Sequence, residues 1–170
     1  MKVLTLIFLL LFNLYALDDR RLLMESISEH AIRIGTGPDT TYTFLDPLCS
    51  KSQAFIEFIS GREDLQEKIS YYIFLYRLPR FESDKHIQYI YQSPDPLIAL
   101  KEIMINYDDE DVYDIQVKNE TLKKIESVST VAEQIGMKRR PYLLIFNEGS
   151  NYCQVSEGTA PCLEENEFKD

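Results

Sequence analysis

TTYTFLDPLCSKSQAFIEFI, residues Thr40–Ile59, joins a strand to a helix through a cysteine. Thr40–Leu45 is rich in β-branched and aromatic residues, the composition of a half-buried or buried strand. Asp46-Pro47 breaks that run. From Ser50 onward Ala54, Phe55, Phe58 and Ile59 recur at helical spacing and predict one apolar helix face, with Gly61 as the stop. The turn between them, Asp46–Ser52, sets Cys49 at or beside the helix N-terminus. There the unpaired N–H groups and the positive end of the helix dipole favour a negatively charged sulfur. Three residues on, where a second thiol would make a Cys-x-x-Cys pair, the chain carries Ser52.

Working outward towards the N-terminus, Ala31–Ile34 is a second short strand. Gly35-Thr36-Gly37-Pro38-Asp39 is a turn by composition, so these two strands are expected to pair as a hairpin. Residues 17–30 space Leu22, Leu23, Ser26 and Ile27 as a short amphipathic leader helix, with Ala31 following. Before that, Lys2, the apolar run Val3–Phe12 and the small Ala16 have the parts of a secretory signal peptide over residues 1–16, cut near Ala16. The run is short for a membrane span and ends abruptly at Asp18-Asp19-Arg20-Arg21; an uncleaved anchor is the alternative. The expected location is periplasmic or secreted.

Towards the C-terminus, Arg62–Lys68 is a polar helical turn, and Ile69–Leu78, ended by Pro79, reads as a central strand buried on both faces. With the helix before it, this predicts a parallel strand pair. Asp84–Tyr91, capped by Ser83 or Asp84, and Leu97–Tyr107, opened by Pro96, are candidate helices. Asp108–Asp111 is acidic but lacks the alternating ligands and glycine of a calcium loop, so it reads as a solvated loop and no metal is expected. Asn119–Gly136 carries Leu122, Ile125, Val128, Val131, Ala132 and Ile135 on one face, with Asn119 as cap. Tyr142–Phe146 and Tyr152–Val155 form a closing hairpin. The sequence thus predicts one domain over residues 31–158 with a helical insertion at about 83–136, then a short segment, residues 159–170.

The formal net charge of −10 repels phosphate backbones, which argues against nucleic-acid partners. Three cysteines are an odd number for an exported chain and leave at least one free thiol or transient mixed disulfide. Cys49 stands alone. Cys153 and Cys162 are close enough in sequence to bridge, or else remain reduced; spacing does not decide between these.

Ala31–Gly37, the Thr43–Cys49 run with its Phe-x-Asp-Pro-x-Cys pattern, the helical insertion, and Arg140–Phe146 followed by Gly149 together resemble the thioredoxin-fold domain of periplasmic Dsb-type disulfide isomerases. The resemblance covers roughly residues 28–158. It implies a thioredoxin-like α/β fold with a helical insertion between the central strands and the final β-hairpin. It also implies that Pro141 is cis and faces Cys49, with Arg140 and Tyr142 beside a peptide-binding groove. The sequence departs from the family at Ser52, which replaces the second active-site cysteine, and at Arg140, where the residue before the proline is usually small and polar. It has a leader helix in place of the dimerisation domain, so a monomer is expected.

Cys49 can attack a disulfide and hold the product, but with Ser52 it cannot close an internal disulfide. Lys51, Arg139 or Arg140, and the Ser52 hydroxyl would favour its thiolate, and Asp46 would oppose it. Arg140 has a second reading as part of a solvated basic run, Lys138–Arg140. Two functions follow. One is a monothiol thiol–disulfide exchange or isomerase-like protein acting on exported cysteine-containing proteins or peptides, needing no cofactor. The other is a redox-inactive thioredoxin-like peptide-binding or chaperone module.

Overall fold

The computed structural model describes residues 20–146 and 153–158. Two helices, α1 (residues 20–26) and α2 (Ser50–Ser60), flank the first two strands, β1 (Ile32–Ile34) and β2 (Asp39–Leu45). A single turn, α3 (Glu63–Gln66), leads to β3 (Ile69–Leu75). The inserted helices are α4 (Asp84–Gln92), α5 (Pro96–Met104) and α6 (Asn119–Gln134), followed by β4 (Tyr142–Phe146) and β5 (Cys153–Glu157). The sheet order is β1-β3-β2-β4-β5. β2 and β3 are parallel, as the β2–α2–α3–β3 order implies, and the other neighbouring pairs are antiparallel.

The expected β1–β2 hairpin does not form. β1 pairs with β3, Ile32 opposite Ile73, and β3 lies between β1 and β2. Gly35 and Gly37 explain the difference. They carry the chain across the start of β3 rather than turning it back: a Cβ at Gly37 would lie 1.8 Å from the Lys68 carbonyl carbon, and one at Gly35 would lie 2.3 Å from the Ile69 oxygen. Thr36 N–H donates to the Gln66 carbonyl and Asp39 N–H to that of Lys68, at 2.8 and 3.2 Å. The crossing is therefore hydrogen-bonded to the β3 entry, and glycine is needed because two backbones touch.

Side chains alternate across the sheet with the strand period of two. Leu45, Ile73, Leu75 and Leu143 point to one face and pack with Phe55, Ile56 and Ile59 of α2, Ile87 and Ile90 of α4, and Leu100, Ile103 and Met104 of α5. Tyr42, Phe44, Phe74, Tyr142, Leu144 and Phe146 point to the other, against Met24 and Ile27 near α1 and Val128, Val131 and Ala132 of α6. The leader helix is thus part of the domain.

Several local expectations shift. The inward face of α2 is Ser52, Phe55, Ile56 and Ile59, with Ala54 exposed; the i, i+3, i+4, i+7 rule selects it over the set read from sequence. β3 ends at Leu75, after which the chain leaves the sheet towards Pro79. The α6 N-cap is Lys118 rather than Asn119, and Leu122 is solvent-exposed while Thr121 is buried. Among the described residues no helix is long and apolar enough to cross a membrane. Residues 1–16, Cys162 and the segment 159–170 lie outside the described residues.

Candidate active site

The site is built at the carboxyl end of β2. Cys49 N–H donates to the Asp46 carbonyl at 3.0 Å, closing the turn, and the Cys49 carbonyl accepts from Gln53 N–H at 2.9 Å as the first bond of α2. Cys49 is therefore the helix N-cap in extended conformation. Its sulfur makes no capping bond. It points instead towards the Arg140 carbonyl, at 4.0 Å, on the far side of a cis Arg140–Pro141 peptide bond. Residues 91 positions apart in sequence meet here because β4 pairs with β2, Tyr142 opposite Phe44. Cys49 is 1% exposed.

Ser52 lies one helical turn on and is fully buried; its hydroxyl accepts from the Asp46 N–H at 3.3 Å. The serine braces the turn. Asp46 has a larger role than the sequence suggested. Its buried carboxylate accepts from Leu48 N–H at 2.9 Å, from the Ser83 hydroxyl at 3.0 Å, and from Leu78 N–H. Ser83 precedes α4 and uses its hydroxyl on Asp46 rather than as a helix cap. A buried carboxylate persists only when such donors replace water. Asp46 thus ties the cysteine turn to the exit from β3 and the start of the insertion.

Arg140 is not part of a solvated run. It is 3% exposed, while its neighbours Lys138 and Arg139 are exposed. The guanidinium lies over the Tyr76 ring at 4.4 Å, with Nε donating to the Tyr76 carbonyl and Nη1 to that of Arg139. Burial pushes its proton affinity below the usual arginine value, opposed by Tyr76, Asp46, Glu157 and Cys49. Arginine suits this position because it remains charged under desolvation and stacks on an aromatic face.

Lys51, in the first turn of α2, reaches across to the Gly158 carbonyl at 2.8 Å, and Gly158 N–H donates to the Pro141 carbonyl at the same distance. The end of β5 is thereby fixed against the cysteine turn. Tyr142 is buried in the core, on the sheet face that packs on α6, and is not among the residues that line the groove next to Arg140. Cys153 lies opposite Phe146 at the start of β5. Sequence reading missed Arg80, Glu157 and Gly158, which line an open groove together with Lys51 and Arg140. Their only sequence signals are the proline at the end of β3 and the glycine after β5, and neither indicates proximity to Cys49.

Solved structures similar to this chain include a disulfide interchange protein from Neisseria gonorrhoeae, with a TM-score of 0.62 and 19% identity over 81% of this chain and 93% of that one. A periplasmic thioredoxin-like protein from Salmonella enterica serovar Typhimurium gives a TM-score of 0.61 at 14% identity, over 78% and 83% of the two chains. Proteus mirabilis ScsC in a transitional conformation gives 0.60 at 17% identity, over 94% and 83%. No protein-family model and no curated protein matches the sequence. The chain has the thioredoxin-like fold of the Dsb-type disulfide interchange and isomerase proteins.

Proposed function

We propose that this is an exported, monothiol thiol–disulfide exchange protein that acts through Cys49 on cysteine-containing exported proteins or peptides. The observation that carries the reading is the placement of the Cys49 sulfur, at the N-cap of α2 and against the carbonyl preceding cis Pro141, in a fold shared with disulfide interchange proteins. The signal-like residues 1–16 and the periplasmic origin of a similar structure support export.

In the exchange, Cys49 gives up its proton and the thiolate attacks one sulfur of a client disulfide. The client S–S bond breaks, a mixed disulfide forms, and the leaving client thiolate takes up a proton. A different client thiolate then attacks the client sulfur of the mixed disulfide. Cys49 is released as thiolate, and the client carries a rearranged bridge with no net oxidation. Ser52 cannot resolve the mixed disulfide, so release belongs to the client. Pro141 and Arg140 flank the client segment.

The burial of Cys49 favours the second reading, a redox-inactive peptide-binding module, because attack needs an approach to a sulfur that water barely reaches. One experiment separates the two. Wild-type and Cys49→Ser proteins are compared for mixed disulfides trapped with exported proteins and for refolding of a scrambled disulfide substrate. Exchange predicts that both are lost with the sulfur. Equal trapping and equal refolding by the two proteins would favour the binding module.

A further inference from the structure

An open groove of about 530 Å³ adjoins the cysteine turn through Lys51 and Arg140, and its walls carry Lys51, Arg80, Lys138, Arg139 and Arg140 against one carboxylate, Glu157. This is a basic patch on a chain of net charge −10. The single carboxylate is already engaged: Glu157 Oε1 accepts from the backbone N–H groups of Lys138 and Arg139 at 2.6 and 2.9 Å. None of the five basic side chains pairs with a carboxylate among the described residues. Arg140 is the telling member. It is 3% exposed and lines the groove, its Nε and Nη1 bond only carbonyls, and its Nη2 has no acceptor among the described residues. Asp46 and Glu157 act on this guanidinium without forming an ion pair with it, and an anion delivered into the groove would supply that direct partner.

We infer that this groove selects acidic peptide segments, so that the preferred clients of Cys49 carry their cysteine flanked by Asp or Glu. The inference rests on the exchange reading only for the covalent step; the groove's charge preference stands apart from it. The geometry fits a peptide. Lys51 follows Cys49 by two residues, Arg140 supplies the carbonyl facing its sulfur, and Arg80 lies at the exit from β3 with its guanidinium on the Phe81 ring at 4.8 Å. A segment bound by these cations therefore lies against Lys51 and Arg140, the two groove residues that adjoin the cysteine turn and the carbonyl facing its sulfur. Complementary charge of this kind acts mainly on encounter rate and partner choice, and it weakens with salt.

The test uses the full chain and three peptides of equal length that differ only in flanking Glu, Gln or Lys. In the binding arm, serine replaces the peptide cysteine and affinity is read by fluorescence anisotropy. The Glu peptide is expected to bind about tenfold more tightly than the Lys peptide at low salt, with the gap closing towards about 1 M salt, where screening shortens to about 3 Å. In the exchange arm, the peptide cysteine is activated as a thiopyridyl disulfide and pyridinethione release is followed. The same order of rates is expected. The variant Lys138→Gln/Arg139→Gln, altered at two exposed positions, should lose most of the preference in both arms. Equal binding of Glu and Lys peptides, or a preference unchanged in the variant, overturns the inference. Competition by glutathione at the peptide's own concentration would also overturn it, by showing that the site takes a small carboxylated thiol. If the binding order holds while no peptide reacts at Cys49, the groove assignment stands and the exchange reading fails.

Discussion

Three donors converge on the Asp46 carboxylate, from Leu48, Leu78 and Ser83, in a place that water does not reach. Asp46→Ala leaves all three without an acceptor. The expected cost is about 3 kcal/mol of stability, measured as a shift in the urea midpoint, because each stranded donor carries its own desolvation penalty. At the same scale, Ser52 holds the cysteine turn in place through a single hydroxyl. Its hydroxyl accepts the Asp46 N–H that braces the turn, so the serine supports the turn although it offers no thiol. Arg140 teaches the opposite lesson. The basic run Lys138–Arg140 has the composition of a solvated surface, yet its last member is turned inward by the pairing of Tyr142 with Phe44 and covered by Tyr76. No local pattern carries that information, since the neighbouring strand comes from residues almost a hundred positions earlier.

Among the elements, α4 is joined to the sheet by more than apolar contact. The buried Tyr91 hydroxyl accepts from Leu75 N–H at 2.8 Å, at the last residue of β3. Tyr91→Phe should cost about 1–2 kcal/mol near neutral pH by leaving that N–H unpaired. The phenol also predicts an alkaline effect. Burial pushes the Tyr91 phenol well above its ordinary value, opposed by the Leu75 bond. Above about pH 10 the unfolded chain therefore loses a proton that the folded chain keeps, and stability falls with rising pH by up to about 1.4 kcal/mol per unit. Urea unfolding between about pH 9 and about pH 11 should show a steeper loss for the wild type than for Tyr91→Phe; equal slopes would refute the attribution. Element positions were mostly legible in the sequence. β2, α2 and β4 are periodic segments bounded by proline, glycine or a change of composition. Helix faces were less legible, as Ala54 and Leu122 show, because a face is chosen by what packs on it.

For the whole molecule, strand order depends on two glycines. β1 can lie outside β3 only because Gly35 and Gly37 let the chain pass in contact with residues 66–69. Gly37→Ala should destabilise the protein by more than about 3 kcal/mol or prevent folding, since the clash is with backbone rather than a movable side chain. Gly61→Ala, whose added methyl would meet nothing nearer than 3.7 Å, is the control and should change stability by no more than about 1 kcal/mol. Circular dichroism and urea titration of the two variants read both outcomes. By itself the sequence determined the strand–turn–helix around Cys49, the parallel β2–β3 pair, the inserted helices and the serine three residues after Cys49. All of these follow from short-range periodicity, turn chemistry and residue identity. Only the tertiary structure decided that β3 comes between β1 and β2, that Asp46 anchors the insertion, that Arg140 is buried, and that five cations line one groove. Those features depend on backbone contact and charge placement between distant segments, which a linear pattern does not encode.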